Sequence, residues 1–281
     1  QIQKSCAADC ARAIAAAGVA GGQRQVRTDG PIREAACSAS PQGRATMSPA
    51  MEDMEAYPRY LYGLLAPGLK SCRRVWEIGV GHGQYTQLLL EDRFEVVATD
   101  ISTECLQRLE ERLVGRRGWV ALPIDLNRRD SLLPVADLGV DGVICLNVLE
   151  HLSDDVAALA SIGQTVAPGG VLGIVVPAFP SLYGPMDAQA GHFRRYTTGS
   201  LRTALKRAGW EVERIDYRNA IPALGWWYHN RIRKGTALED PTVQSQMRWL
   251  DQWIPRMAAW TDPLFKQYFG LSVVAIARTK R

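Results

Sequence analysis

The chain lacks the signals of several specialised protein classes. No uninterrupted apolar run approaches the ~18 residues that a bilayer-spanning helix needs, so we expect a soluble protein that touches a membrane at most peripherally. Its 6 cysteines form neither a C-x-x-C pair nor a Cys/His cluster, and this pattern favours reduced thiols in the cytoplasm over disulfides or zinc ligands. Lysine and arginine exceed aspartate and glutamate by only 33 to 29. Because these charges are scattered, no nucleic-acid partner is expected.

What is present is the composition of an ordinary globular protein, with 47% hydrophobic and 22% charged residues. The N-terminal segment departs from this average. Residues 1–46 are rich in Ala, Gly, Ser, Gln and Arg and nearly devoid of large apolar side chains. We therefore predict a poorly packed extension over residues 1–46 and one domain over residues 47–281.

From residue 51 onwards, short apolar segments alternate with segments of helical periodicity. The first is a predicted helix, which we expect Pro67-Gly68 to end. Alternation of this kind favours right-handed crossovers and a doubly wound, mainly parallel α/β sheet. The predicted strands are Arg74 to Ile78, Glu95 to Thr99, Trp119 to Ile124, Gly142 to Leu146, Val171 to Val176, Glu211 to Tyr217 and Leu271 to Ala277.

The connection before the last predicted strand is unusually long and aromatic. A hairpin connection needs only a few residues, whereas residues 219–270 form a whole insertion. We predict that it is helical and that it serves as a lid over the acceptor site, a homodimer face or a membrane-surface patch, because so many aromatic side chains exceed what an exposed loop tolerates. Its aromatic residues are Trp226, Trp227, Tyr228, Trp249, Trp253, Trp260, Phe265, Tyr268 and Phe269.

Three glycines at alternate positions follow the first predicted strand: Gly79, Gly81 and Gly83. In an open parallel sheet, ligands bind beyond the carboxyl ends of the strands, where this turn would lie. A dinucleotide fingerprint requires glycine where the chain has Gln84, which weakens a hydride-transfer interpretation. Asp100 closes the second predicted strand, where its carboxylate can accept hydrogen bonds from ribose hydroxyls. The alternative is that Asp100 only caps the helix starting at Ser102.

In their order and spacing, a series of short motifs resembles the class I S-adenosylmethionine-dependent methyltransferases. The motifs are Glu77-x-Gly79-x-Gly81-x-Gly83, Thr99-Asp100-Ile101-Ser102, Asp125 after the third predicted strand, Leu133-Pro134, Asp141-Gly142-Val143, Val148-Leu149-Glu150-His151-Leu152 and Ala167-Pro168-Gly169-Gly170. The likeness covers about residues 55–218 and the last strand. It implies a Rossmann-like seven-stranded sheet whose last strand is antiparallel. It also implies that S-adenosylmethionine lies over the glycine turn and leaves as S-adenosylhomocysteine.

The resemblance implies roles for residues at the ends of the first four strands. Glu77 would face the amino end of the methionine moiety, Asp100 would hold the ribose, and Asp125 would meet the adenine amino group. Ile101 would pack on the adenine face, and Asn147 would contact the methionine portion. The full set of expected cofactor-binding residues is Glu77, Gly79, Gly81, Gly83, Asp100, Ile101, Asp125, Leu126 and Asn147.

The loop after the fifth predicted strand is expected to bind the methyl acceptor. Its Gly191-His192-x-Arg194-Arg195-Tyr196 pattern resembles a branch of small-molecule and sugar methyltransferases. Histidine is the residue type best suited to act as a general base near neutral pH, so His192 is the candidate base, unless it only ties the loop to the sheet. Arg194 and Arg195 could clamp an anionic group, unless one of them pairs with Asp187. The expected acceptor-binding residues are Tyr183, Arg194, Arg195 and Tyr196, and the expected catalytic residues are His192 and His151.

The preferred prediction is a biosynthetic S-adenosylmethionine-dependent O-methyltransferase acting on a small-molecule or lipid-linked sugar acceptor. No metal-ligand array is evident in the sequence, so we predict metal-independent chemistry. A nicotinamide-dependent oxidoreductase and a non-catalytic S-adenosylmethionine-binding protein are the alternatives. Methylation of nucleic-acid bases is disfavoured because Asn147-Val148-Leu149-Glu150 stands in place of a [DN]PP[YF] motif.

Overall fold

The computed structural model describes residues 54–223 and 241–280, without the side chains of residues 241–250. The predicted extension over residues 1–46 lies outside this part of the chain. Seven strands form the central sheet: β1 (Arg74–Ile78), β2 (Glu95–Asp100), β3 (Trp119–Pro123), β4 (Gly142–Leu146), β5 (Val171–Pro177), β6 (Trp210–Arg218) and β7 (Ser272–Thr279). These positions agree with the sequence prediction to within two residues at each end.

The strand order in the sheet is β3-β2-β1-β4-β5-β7-β6. Strands β1 to β5 pair in parallel, whereas β7 runs antiparallel to both β5 and β6. The predicted seven-stranded sheet with an antiparallel last strand is therefore confirmed. From β1 the chain adds β2 and β3 on one side, and from β4 it adds β5 on the other side. The direction of strand addition therefore reverses between β1 and β4. A ligand site is expected at that switch point.

Helices flank the sheet and are labelled here in chain order. They are α1 (Ala56–Leu69), α2 (Gln84–Glu91), α3 (Thr103–Arg112), α4 (Leu133–Ala136), α5 (Asp155–Thr165), α6 (Pro185–Gln189), α7 (Thr198–Arg207) and α8 (Pro241–Phe265), with 3₁₀ turns at Arg129–Leu132, Leu149–His151 and Pro180–Leu182. Polar caps start several of them. Ser102 accepts a hydrogen bond from the Cys105 N–H, and Asp154 accepts one from the Ala157 N–H, which satisfies amides that the helix leaves unpaired.

Helix α1 shows where the local sequence signal failed. The prediction that Pro67-Gly68 ends this helix is wrong, because the helix continues through Pro67 to Leu69. Leu65 and Leu69 are both fully buried. Burying Leu69 requires one more helical turn, and this gain outweighs the one backbone hydrogen bond that Pro67 cannot donate.

The insertion before β7 is helical in its described part, as predicted, since α8 spans Pro241–Phe265. The remainder of the insertion, residues 224–240, lies outside the described residues. The Asp251 carboxylate accepts hydrogen bonds from the backbone N–H groups of Glu55, Ala56 and Tyr57 at 2.7–3.2 Å, so α8 caps the start of α1. Among the described residues, no helix combines the length and the apolar character needed to cross a bilayer.

Candidate active site

The glycine turn joins β1 to α2 at the carboxyl edge of the sheet. Gly79 and Gly83 have φ of +78° and +76°, a region that side chains other than glycine rarely adopt. A Cβ on Gly79 would lie 2.5 Å from Val148 Cγ2, and one on Gly83 would lie 2.5 Å from Leu109 Cδ1. Packing against the protein's own side chains therefore already requires glycine at two of the three positions.

Asp100 fastens this turn to the end of β2. Its Oδ2 accepts from the Gly81 N–H at 3.2 Å, and its Oδ1 accepts from the Ser102 N–H at 2.8 Å. Burial raises the pKa of Asp100, although these backbone hydrogen bonds oppose the rise. Helix α3 is capped by Ser102 instead, so the alternative that Asp100 is merely a helix cap does not describe its contacts. Each carboxylate oxygen keeps one lone-pair direction for a further donor.

Glu77 is almost completely buried at this edge, with 1% of its surface exposed. Its Oε2 accepts from the Thr86 hydroxyl, whereas its Oε1 has no hydrogen-bond partner among the described residues. Burial raises the pKa of Glu77 to about 8, because the charged form is poorly solvated there. The sequence did not indicate the Thr86 contact, which orients the carboxyl group. The site therefore offers a buried acceptor that a ligand's donor group would complete.

The remaining predicted cofactor residues lie along the same edge, at the ends of β2, β3 and β4. Ile101 is 51% exposed, which is unusual for isoleucine and leaves an apolar face open. The Asp125 Oδ1 accepts from the backbone and side-chain N–H groups of Asn127 at 2.9 and 3.0 Å, and Leu126 is buried behind it. Asn147 is exposed and has φ of +53° at the switch point.

A second group of side chains lies one loop away, just beyond β4. Glu150 and His151 belong to the 3₁₀ turn after this strand, and His192 lies in the loop after β5. The Phe193 N–H donates to the Glu150 carbonyl at 2.8 Å, which ties the two loops together. The rings of His151 and His192 meet edge to face at 4.7 Å between centroids, and His192 Nε2 lies 3.9 Å from Glu150 Oε1.

Asp187 fixes the orientation of His192. Although burial alone would raise the pKa of Asp187, hydrogen bonds from His192 and Arg195 hold it below its usual range, so the carboxylate is ionised and can only accept. The contact at 2.9 Å between His192 Nδ1 and Asp187 Oδ1 therefore places the proton on Nδ1. The lone pair of Nε2 then faces Glu150.

Burial governs the protonation of the other two members of this group. It lowers the pKa of His151 to about 4, with His192 acting in the same direction and a hydrogen bond to the Gly191 backbone opposing. His151 is therefore neutral near pH 7. Glu150 is fully buried, and neither of its carboxylate oxygens has a hydrogen-bond partner among the described residues. Burial raises the pKa of Glu150 to about 7.

The structure separates the four predicted acceptor-binding residues into two pairs. Arg195 is buried, and it donates to Asp187 Oδ1 at 2.7 Å and to the Ala178 carbonyl at 3.1 Å. This is the alternative in which one arginine pairs with Asp187. Tyr196 is 2% exposed. Both side chains therefore hold the loop, and the expectation that they contact the acceptor stays a prediction.

Tyr183 and Arg194 are the members of that set that reach the surface. Tyr183 is 41% exposed and donates to the His192 carbonyl at 2.8 Å. Arg194 is about one-third exposed and lies 2.9 Å from Asp155 Oδ1. The Tyr196 hydroxyl donates to the other oxygen of the same carboxylate. Asp155 therefore holds both Arg194 and Tyr196 of the loop in place.

A surface depression of about 720 Å³ lies at the opposite edge of the sheet, lined by residues that include Pro67, Arg73 and Glu95. Arg73 and Glu95 adjoin the amino ends of β1 and β2. Because ligands of open α/β sheets bind at the carboxyl ends of the strands, we assign the site to the glycine turn and not to this depression.

Comparisons with known proteins indicate a methyltransferase domain in this part of the chain. Residues 76–172 match a family model described as a methyltransferase domain. The chain is 34% identical over 130 residues to glycine N-methyltransferase of Rattus norvegicus, covering 41% of the chain and 43% of the relative. It is 26% identical over 99 residues to ubiquinone biosynthesis O-methyltransferase of Xylella fastidiosa, covering 35% and 39% respectively. The chain thus spans about two fifths of the length of each of these relatives.

A solved structure supports the same fold. A SAM-dependent methyltransferase from Archaeoglobus fulgidus superposes with a TM-score of 0.52 at 20% identity, covering 79% of this chain and 94% of that structure. At this identity the likeness concerns the fold alone. The indication of a methyltransferase comes from the family model that matches residues 76–172. Together, the matched methyltransferase domain and the order of the seven strands support the resemblance of the chain to the class I S-adenosylmethionine-dependent methyltransferases.

Proposed function

We propose that the whole protein transfers the methyl group of S-adenosylmethionine to an oxygen atom of a small-molecule or lipid-linked sugar acceptor. The observation that carries the proposal is the position of the His151 and His192 rings, which meet one loop away from the glycine turn. Val148 packs against Gly79, and Glu150 and His151 lie in the 3₁₀ turn that follows it. A cofactor over the turn and an acceptor beside the histidines would therefore be neighbours.

The residues present fit the cofactor. The partnerless Oε1 of Glu77 is an acceptor suited to the ammonium group of the methionine moiety. The Asp100 carboxylate can accept from the ribose hydroxyls, and the exposed Ile101 offers an apolar face to the adenine. Asp125 and Asn147 would complete the contacts at the adenine and methionine ends. When bound, S-adenosylmethionine supplies an electrophilic methyl group on a sulfonium.

The protein's part in such a transfer is to position the acceptor and to remove its proton. His192 is the proposed base, since Asp187 holds its Nδ1 proton and leaves the Nε2 lone pair facing the cluster. His151 is neutral near pH 7, and its ring lies beside His192. Its place next to the proposed base limits which acceptors can fit there. Tyr183 and Arg194 are the proposed acceptor contacts because both side chains reach the surface on the same loop.

The choice of an oxygen acceptor is also part of the proposal, since the two relatives named above are, by name, an N- and an O-methyltransferase. An alcohol gives up its proton far less readily than a protonated amine. A general base positioned next to the cofactor therefore assists an alcohol acceptor most. The oriented His192 therefore favours oxygen. The nicotinamide-dependent oxidoreductase alternative is not supported, because the matched family is a methyltransferase domain.

Two measurements test the proposal. The melting temperature should rise with S-adenosylhomocysteine and stay unchanged with NAD, because only a bound ligand stabilises the folded state. Radiolabelled methyl transfer to a panel of hydroxylated small molecules and lipid-linked sugars should then yield a labelled ether. Binding without transfer to any hydroxyl, together with transfer to amines, would refute the oxygen assignment. Binding without any transfer would favour the non-catalytic alternative.

The outer face of α8 is a proposed association surface of this enzyme. Trp253, Trp260, Leu264 and Phe265 of α8 and Tyr268 just beyond it are all more than 40% exposed. Ile254, Ala258 and Asp262 are buried on the inner face of the helix. Trp260→Ser should leave the melting temperature unchanged, because this side chain is 83% exposed. If the face mediates dimerisation or vesicle binding, the variant should weaken it in gel filtration or flotation. Unchanged behaviour in both assays would leave only the lid function.

A further inference from the structure

We propose that Glu150, His151 and His192 bind a divalent first-row transition-metal ion such as Zn²⁺. One ligand atom from each residue can be chosen so that all three lie within 4.8 Å of one another. Two histidines and one carboxylate are a ligand set found in zinc enzymes, where a fourth position stays open for water or substrate. The expectation of metal-independent chemistry stays a prediction. A metal ion bound by this cluster would contradict it.

The first argument is the state of Glu150. A fully buried carboxyl group normally has its oxygens paired, because a buried and unsatisfied polar group is costly. Both oxygens of Glu150 lack a hydrogen-bond partner among the described residues. The imidazole nitrogen His192 Nε2 lies 3.9 Å from Oε1, which is too long for a hydrogen bond. A cation between the carboxylate and the imidazoles would satisfy these oxygens.

The second argument is that each histidine already has an outer partner. Metal-bound histidines almost always donate their other ring N–H to a carboxylate or a backbone carbonyl. His192 donates Nδ1–H to Asp187 at 2.9 Å, and His151 makes a hydrogen bond with the backbone of Gly191. Asp187 is itself held by Arg195 at 2.7 Å. The outer shell of a metal site is therefore built into the fold.

The distances require only a small adjustment. Zinc–ligand distances of about 2.0–2.1 Å in a tetrahedral site place neighbouring ligand atoms about 3.4 Å apart. The separation of 3.9 Å between His192 Nε2 and Glu150 Oε1 would shorten by roughly half an ångström. The other separations are at most 4.8 Å and would shorten by at most about 1.4 Å, which side-chain rotation can supply. Imidazole ligands favour Zn²⁺, Co²⁺ or Ni²⁺ over Mg²⁺, which prefers oxygen ligands.

A bound ion would change the role of His192 in the proposed reaction. Its Nε2 lone pair would be occupied, and an ion-bound hydroxyl of the acceptor would lose its proton more readily. Loss of turnover in a His192 variant fits both a base and a ligand. Ion binding alone separates the two, and it can be measured without any acceptor.

The test is a titration of the full-length, untagged and chelator-treated protein with Co²⁺, followed by visible absorption and calorimetry. We expect one ion per chain at this site, displaced by Zn²⁺ and not by Mg²⁺. Glu150→Gln and His192→Gln should each weaken binding by more than the 10- to 100-fold that loss of an outer-shell partner typically costs. Glu110→Gln, an exposed carboxylate elsewhere, and His82→Gln, a histidine of the glycine turn, are matched controls that should bind as the wild type does.

The outcomes are separable from those of the proposed function. Circular dichroism checks the fold of each variant, and Glu150→Gln keeps the test valid if His192→Gln does not fold, since Gln matches Glu in shape. No Co²⁺ binding in the wild type, or equal affinity in all variants, would overturn the metal site and leave His192 as the base. Co²⁺ binding without S-adenosylhomocysteine binding would instead support the metal site while the proposed function fails.

Discussion

Cofactor binding should release a proton from Glu77. At pH 7, a carboxyl group with a pKa of about 8 is protonated in about 0.9 of the molecules. If the ammonium group of the cofactor docks against its partnerless Oε1, the ionised form is favoured and the pKa of Glu77 falls well below 7. Binding of S-adenosylhomocysteine should therefore release about 0.9 protons per site at pH 7.

Calorimetry measures this proton directly. The apparent binding enthalpy is recorded in buffers with different enthalpies of ionisation, and its slope against the buffer enthalpy gives the number of protons released. Glu77→Gln should bring the slope close to zero, because the amide carries no titrating proton. Glu110→Gln, an exposed carboxylate away from the site, serves as the control and should keep the wild-type slope.

The same assignment predicts how the affinity depends on pH. Between the lowered pKa of Glu77 in the complex and pH 8, the carboxyl group must ionise when it pairs with the ammonium. The Kd of S-adenosylhomocysteine should therefore improve about tenfold per pH unit in this range and level off above pH 8. Glu77→Gln should bind more weakly and show no such slope. A wild-type slope of zero in both experiments, or an equal slope in Glu77→Gln, would refute the contact between Glu77 and the ammonium group.

Folding stability gives an independent check on the sign. Glu77 keeps its proton to a higher pH in the folded state than its ordinary value of about 4.3 in the unfolded state. Within that window the unfolded state binds fewer protons, so the contribution of Glu77 to stability is fully present below about pH 4.3 and is lost as the pH rises to about 8. Urea denaturation of ligand-free Glu77→Gln should lack this decline relative to the wild type.

Three further substitutions test the ribose contact, the glycine turn and the contact between α8 and α1. Asp100→Ala should weaken S-adenosylhomocysteine binding by about 1.5–3 kcal/mol in calorimetry, because charged hydrogen bonds to the ribose are lost, and an unchanged Kd in a folded variant would remove Asp100 from the site. Gly79→Ala and Gly115→Ala both act at φ of +78°, but only the first forces a Cβ against Val148. Gly79→Ala should therefore be the more destabilising in urea by about 1–3 kcal/mol, and equal losses would disprove the clash. Asp251→Ala should lower the free energy of unfolding by about 1–2 kcal/mol, because three backbone N–H groups at the start of α1 lose their acceptor; a negligible loss would show that this contact does not stabilise the fold.

The sheet could be predicted because its signals are local. β1 and β4 are short apolar runs bounded by turn residues, and both occur with the predicted bounds Arg74–Ile78 and Gly142–Leu146. Their residues are buried because helices cover both faces of a parallel sheet. Helix α1 was mispredicted at Pro67 for the opposite reason, since its last turn exists to bury Leu69 against distant residues and not because of local propensity.

The candidate site could be predicted only in part, because its second half depends on contacts between distant segments. The residues at the ends of β1 and β2 follow directly from strand positions. By contrast, the meeting of Glu150 with His192 depends on the hydrogen bond that joins Phe193 to the Glu150 carbonyl, and no spacing in the sequence encodes it. The burial of Arg195 has the same origin, although the pairing with Asp187 was one of the stated alternatives.

Two buried carboxyl groups set this site apart from the rest of the core. Glu77 and Glu150 are 1% and 0% exposed, and each has oxygens without a partner among the described residues. Burying such groups destabilises a fold, and an apolar residue in either place would serve the core better. Glu77 lies near the end of β1 and Glu150 lies just beyond β4, the two strands that flank the switch point. Because their cost is recovered only when a cation binds, the structure favours the same explanation for both. Under the two proposals, Glu77 pairs with the ammonium group of the cofactor, and Glu150 binds a metal ion together with His151 and His192.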